Sequence, residues 1–159
     1  MASTETNLWR AVRREAFPEG PTVGEDPRDG VLEPTFYATP YTVKVKGKLQ
    51  QRLRQPDVTI TLVDGEEQVE TGGGTSLFDR AGVFKYDNWF YFSIPAGTIV
   101  PDSLVVLFTH YNEQFAANHY QIEVRAGTMT IDAFKGALNN LARNATVRAR
   151  ELAGVALAD

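Results

Sequence analysis

This 159-residue chain predicts an α+β fold: a mainly antiparallel β core with packed helices. Three observations carry that reading. Short stretches of alternating polarity recur from Leu8 to Arg125, as half-buried strands do. Turn-forming pairs such as Asp64-Gly65 and Asp87-Asn88 separate them. Past Thr130 the apolar period lengthens to three and four, the mark of an amphipathic helix.

The elements follow in order. Leu8 to Val12 reads as a short strand after a polar tail. Glu19 to Pro34 is rich in Gly, Pro and Asp and reads as a long loop, of the kind that is either functional or disordered. Tyr37 to Val45 alternates as a strand. Lys48 to Gln55, short and charged, reads as a helical turn ended by Pro56. Val58 to Val63 alternates throughout and is a strong strand; Asp64-Gly65 turns the chain into a return strand at Gln68 to Glu70. Trp89 to Ile94, Leu104 to His110 and His119 to Arg125 complete the strands. In the last segment Ile131, Phe134, Leu138, Leu141, Ala145 and Leu152 form one apolar stripe. Thr130 is its N-cap, Asp132 sits in the first turn, and Arg148 and Arg150 lie toward the end where cations are favoured.

The length suits one domain, residues 1–159, large enough to bury a core without staples. The chain has no cysteine, which excludes disulfides, thiolate metal sites and cysteine nucleophiles. A formal net charge of −4 disfavours generic nucleic-acid binding, although a local basic patch is compatible with it. Leu104 to Phe108 is the longest apolar run and is far too short for a membrane span. Met1 to Asn7 has neither the basic start nor the apolar run of a secretory signal, so export would use a route without a cleaved signal peptide. His110 and His119 match no familiar metal-ligand spacing, and no metal is expected.

The densest loop chemistry is Thr71 to Val83, T-G-G-G-T-S-L-F-D-R-A-G-V. A phosphate-binding P-loop needs a Lys before the Ser/Thr, and none is present. One reading is a tight turn with Thr75 or Ser76 capping a short helix through Ala81, with Asp79 in its first turn. The other is a ligand site, because glycines admit close approach and two hydroxyls follow at once. The strand at His119 poses the same choice. His119, Gln121, Glu123 and Arg125 share one face, either the wet side of a sheet or the floor of a site.

The glycine stretch resembles the signature of a family of type VI secretion effector toxins that arrest growth from inside the target cytoplasm. Its members carry a nearly identical G-G-T-S-x-F-D-R-A-G-V. The similarity continues through Phe92 to Thr98, Pro101 to Leu104, Tyr111-Asn112, His119 to Ile122 and Leu138 to Ala145, with order and spacing kept over roughly the C-terminal half. Leu8 to Val12 resembles the family's opening strand, whereas Phe17 to Glu70 matches weakly.

The resemblance implies an ADP-ribosyltransferase-like fold that uses NAD, an unknown macromolecular acceptor of ADP-ribose, and a cognate immunity protein. Such enzymes order a basic residue on the first strand, a Ser/Thr motif on a middle strand and a Gln/Glu-x-Glu motif on a late strand. Arg10, Thr75-Ser76 and Gln121-x-Glu123 stand here in that order. Thr75, Ser76, His119 and Glu123 are then the catalytic candidates. Arg10, Thr75, Ser76, Phe78, Arg80, His119 and Tyr120 are the candidates for holding NAD. The chemistry suits these types: an Arg forks onto a pyrophosphate, a fixed carboxylate favours an oxocarbenium-like transition state, and an aromatic stacks on nicotinamide. Arg143-Asn144 also matches, in a helical setting that suits packing. The alternatives are a noncatalytic β-rich interaction module, or the same fold acting on RNA or hydrolysing NAD.

Overall fold

The computed structural model describes residues 1–158, and side chains through residue 154. Its strands are β1 (Leu8–Arg13), β2 (Thr22–Val23), β3 (Asp26–Pro27), β4 (Thr39–Val45), β5 (Lys48–Arg54), β6 (Ile60–Val63), β7 (Glu66–Glu70), β8 (Gly74–Phe78), β9 (Trp89–Ile94), β10 (Leu104–Asn112), β11 (Ala117–Val124) and β12 (Thr128–Thr130). One helix follows, α1 (Ile131–Ala158). The main sheet has the order β10-β11-β8-β1-β9, and a smaller one the order β12-β7-β6. Every registered pairing is antiparallel. The expectation of several packed helices is corrected: among the described residues α1 is the one α-helix.

Strand alternation sorts the main sheet into two faces. Register places Leu8, Arg10, Val12, Thr75, Leu77, Phe92, Ile94, Leu104, Ile122 and Val124 on one side. The apolar members of that set are buried against Phe134, Leu138 and Leu141 of α1, Val69 of β7, and Val31, Leu32 and Val58. Thr130 caps α1 as expected, its Oγ1 accepting from the Ala133 N–H at 3.1 Å. The buried stripe ends at Ala145, and Leu152 is exposed. Arg148 and Arg150 fall short of the last turn. Arg148 instead donates to the Ala96 carbonyl, and Arg150 pairs with Glu25.

Two local readings are corrected. Lys48–Arg54 is a strand, not a helical turn, and pairs with β4 through a Lys46-Gly47 turn. Every residue of β5 is exposed, so no buried face imposed an apolar alternation on its sequence. Gly74–Phe78 is likewise a strand and not a capped helix. The glycines explain why. Gly72 takes a φ of +102°. A Cβ at Gly73 would lie 2.6 Å from the Asp57 carbonyl oxygen, and one at Gly74 only 1.7 Å from that of Ile122. The three glycines turn the chain and then slide it flat against β11. The loop at 19–34 is also ordered, with β2 and β3 forming a small hairpin and Val31 and Leu32 fully buried.

Gly74→Ala drives a methyl into the β11 backbone, which has no flexible end to yield. Overpacking of this kind costs about 3 kcal/mol. Chemical denaturation should show a loss of that size, and unchanged stability would contradict the close approach.

Candidate active site

The site begins where the main sheet fails to close. β1 pairs with β9 along its whole length but meets β8 at one registered pair, Trp9 with Phe78. Beyond it the two strands part, and Arg10 fills the gap. Its Nη1 donates to the Ser76 carbonyl at 3.1 Å, and its Nη2 to the Glu33 carbonyl at 3.0 Å. The guanidinium thus substitutes for ladder bonds that the splayed strands cannot make.

This charge is poorly compensated. Both acceptors are neutral carbonyls, and the buried Nε has no hydrogen-bond partner. Burial, opposed by Asp57 and assisted by the repulsion of Arg54, lowers the Arg10 pKa to about 10. It stays charged at neutral pH. A buried cation without an ion-pair partner is costly, and one facing a cavity is suited to an anionic ligand.

The cavity is a cleft of about 370 Å³ lined by Arg10, Ser76 and Phe78 together with Glu33, Asp57, Phe84 and Trp89, among others. The 30–35 loop makes one wall. It is tied by Asn139 Oδ1, which accepts from the Gly30 N–H, and by Thr75 Oγ1, which donates to the Leu32 carbonyl at 2.6 Å. Aromatic rings make the opposite wall. Phe84 stacks on Trp89 with centroids 4.4 Å apart, and Phe78 meets Phe84 edge-on.

The sequence candidates are dispersed by strand parity. Of them Arg10, Ser76 and Phe78 line the cleft. By register Ser76 and Phe78 lie on the outer side of the sheet and Arg10 on the inner side, from which its guanidinium reaches into the gap. Thr75 shares the inner side, opposite Ser76, fully buried, its hydroxyl committed to Leu32. Tyr120 shares that inner face, packed edge-on against Phe108 and lining a separate groove beside the N-terminal segment. Arg80 donates to the Phe115 carbonyl, and Asp79 accepts from the backbone and side chain of Asn118 at 2.8 Å each. These two residues do not pair with each other; they tether the loop that leads into β11.

His119 lies on the outer face beside Phe78, ring centroids 5.3 Å apart. It stacks on His110, and Thr109 Oγ1 contacts Nδ1 of both rings. A register shift between Phe108 and His110 leaves Thr109 as the extra residue that makes this contact possible. Burial, then the neighbouring His110, lowers the His119 pKa.

The wet-face reading of Glu123 is corrected. Its residue is 8% exposed, because its registered partner Gly74 has no side chain and leaves room for it. Oε1 accepts from the Gly72 N–H at 2.8 Å and Oε2 from Gln121 Nε2 at 3.0 Å. It does not line the cleft but adjoins it, since Gln121 is registered against Ser76. The carboxylates that do line the cleft are Glu33 and Asp57. Both lie in the weakly patterned stretch before the glycine motif, where no periodicity or motif singled them out.

The two hydroxyls of the motif should separate experimentally. Thr75→Val strands the Leu32 carbonyl and should cost about 1–3 kcal/mol of stability. Ser76→Ala should stay within about 0.5 kcal/mol. Equal losses on denaturation would contradict the assignment of opposite faces.

A family model described as Tse2 ADP-ribosyltransferase toxin matches residues 4–150. Toxin Tse2 of Pseudomonas aeruginosa is 39% identical over 123 residues, spanning 77% of this chain and 71% of that protein. Matched by the family model over nearly its whole length and 39% identical to Toxin Tse2, the chain belongs to the Tse2 ADP-ribosyltransferase toxin family.

Proposed function

We propose that the cleft between β1 and β8 binds NAD and that the chain transfers ADP-ribose from it to a macromolecular acceptor in the cytoplasm of a target cell. Family membership implies NAD as the substrate. The observation that carries the reading is Arg10: a buried, charged guanidinium with an unpartnered Nε, opening onto a cleft of about 370 Å³. In this reading Arg10 takes the pyrophosphate, the ligand that offers the paired anionic oxygens its fork can use. The Ser76 hydroxyl orients the nicotinamide ribose. Phe78, Phe84 and Trp89 supply a wall for the planar ring.

Cleavage of the nicotinamide–ribose bond develops positive charge on the sugar, which a preorganised carboxylate stabilises. Glu33 is the acid of the cleft best placed for this in the proposal: Asp57 already accepts from the Thr35 N–H. Glu123 is a positioning residue. It holds Gln121, the registered partner of Ser76, and fixes the Gly72 turn. His119 holds the ring of Phe78 by its edge-on contact.

A cognate immunity protein in the producer and export without a cleaved signal complete the proposal, both by analogy with the toxin family. Among the described residues no helix is long and apolar enough to cross a membrane.

Arg10→Met tests the binding assignment. Two carbonyls lose a donor, at about 1 kcal/mol each. Relief of charge burial offsets this. Stability should therefore change by less than about 1 kcal/mol, while calorimetric NAD binding disappears. Full NAD affinity in the variant would sink the assignment. Nicotinamide release ranks the carboxylates. Glu33→Gln should lose about 100-fold in rate, whereas Glu123→Gln should lose folding stability first. The reverse order would return the catalytic role to Glu123.

A further inference from the structure

The ribbon formed by β4 and β5 is set apart by charge. Of the 16 Lys and Arg residues, five (Lys44, Lys46, Lys48, Arg52 and Arg54) lie within residues 35–56, which hold no Asp or Glu. The other 11 stand against all 20 acidic residues, so the ribbon region carries +5 and the remainder −9. None of the five takes part in a salt bridge among the described residues. The ribbon pairs with no other strand. A lone two-stranded hairpin is marginally stable in water, so its own packing does not account for it.

Its geometry orders the charge. Register puts Arg54 opposite Thr39, Arg52 opposite Tyr41 and Lys48 opposite Val45, all on one face. Residues two apart on a strand are about 6.7 Å apart, comparable with the phosphate spacing along one nucleic-acid strand. The tip adds Lys46, at a φ of +51° before Gly47 at +80°. That turn position favours Asn, Asp or Gly, so the lysine brings a cation to the tip at the expense of local turn preference. The foot of the ribbon is clamped by paired hydrogen bonds between Thr35 and Asp57. Arg54, Thr35 and Asp57 all line the cleft. A row of cations thus leads from the ribbon tip to the mouth of the site.

We propose that this ribbon binds a single-stranded nucleic acid and delivers it to the cleft as the acceptor of ADP-ribose. The inference rests on the transferase reading above and names its acceptor class. Exposed Tyr41, on the face of Arg52, gives the bases an aromatic surface to lie on. An unpaired strand reaches the mouth of the cleft that holds NAD without the flipping that a duplex requires. In the transfer, a nucleophilic oxygen or nitrogen of the strand bonds to the ribose C1′ of NAD. The bond from C1′ to the nicotinamide nitrogen breaks, its electron pair leaves with nicotinamide, and the acceptor proton passes to water.

The test uses the whole chain with Lys46→Asn, Lys48→Gln and Arg52→Gln combined, leaving Arg54 in place. Fluorescence anisotropy follows labelled single-stranded RNA and DNA oligonucleotides of about 12 nucleotides, within the usual site size. Wild type should bind one or both, and the variant about 100-fold more weakly. The slope of log affinity against log salt should become shallower by about 2, at roughly 0.7 per phosphate contact for the three removed cations. NAD cleavage without acceptor should be unchanged, which keeps a folding defect distinct. The single variant Lys46→Asn should flatten the slope by about 0.7 without lowering stability. Equal binding by wild type and variant overturns the proposal, as does tighter binding of a duplex or displacement of the oligonucleotide by polyglutamate at equal charge. If wild type fails to cleave NAD at all, the transferase reading falls, while oligonucleotide binding still decides the ribbon's role.

Discussion

The cleft depends on one wedge, the Arg10 guanidinium between β1 and β8. An uninterrupted sheet would satisfy the Ser76 carbonyl through the ladder. Here the strands part after a single registered pair, and a side-chain cation satisfies that carbonyl and the Glu33 carbonyl together. The wedge therefore does two jobs. It holds the 30–35 loop against the sheet, and it keeps a charge buried at the floor of a cleft. The first gives the cleft its wall; the second gives it an affinity for anions.

The glycine motif serves the same opening from the other side. Gly73 and Gly74 lie flat against the Asp57 and Ile122 carbonyls, which fixes β8 to β11 and leaves its β1 edge free. Glu123 occupies the space that Gly74 leaves and ties back to Gly72. Thr75 faces inward to the loop and Ser76 outward to the cleft. A motif dense with hydroxyls and charge thus resolves into mostly structural bonds around the half-buried Ser76 that lines the cleft.

Much of the fold was legible in the sequence. The stripe from Phe134 to Ala145 and the strands at Leu8, Trp89 and His119 stand where period puts them, because each packs against the core. The exposed Asp64-Gly65 turn stands where turn chemistry puts it, both residues at positive φ. The β5 segment was misread because both its faces are exposed and no core imposes a period. The strand at Gly74 was misread because its glycines look like a turn, whereas their cause is a neighbour distant in sequence. Arg10 could be found as a first-strand arginine. Glu33 and Asp57 could not, since only tertiary packing brings their loops to the sheet. The basic ribbon was hidden by the net charge, which averages a positive hairpin with a more strongly acidic body.

The central claim is that the split between β1 and β8 is the NAD site. A crystal structure with a non-hydrolysable NAD analogue tests it most directly. The account predicts pyrophosphate oxygens within hydrogen-bond distance of the Arg10 guanidinium and the nicotinamide ring against Phe78, Phe84 or Trp89. An analogue seated elsewhere, such as the groove between the N-terminal segment and β10, with the Arg10 cleft unchanged, would contradict it.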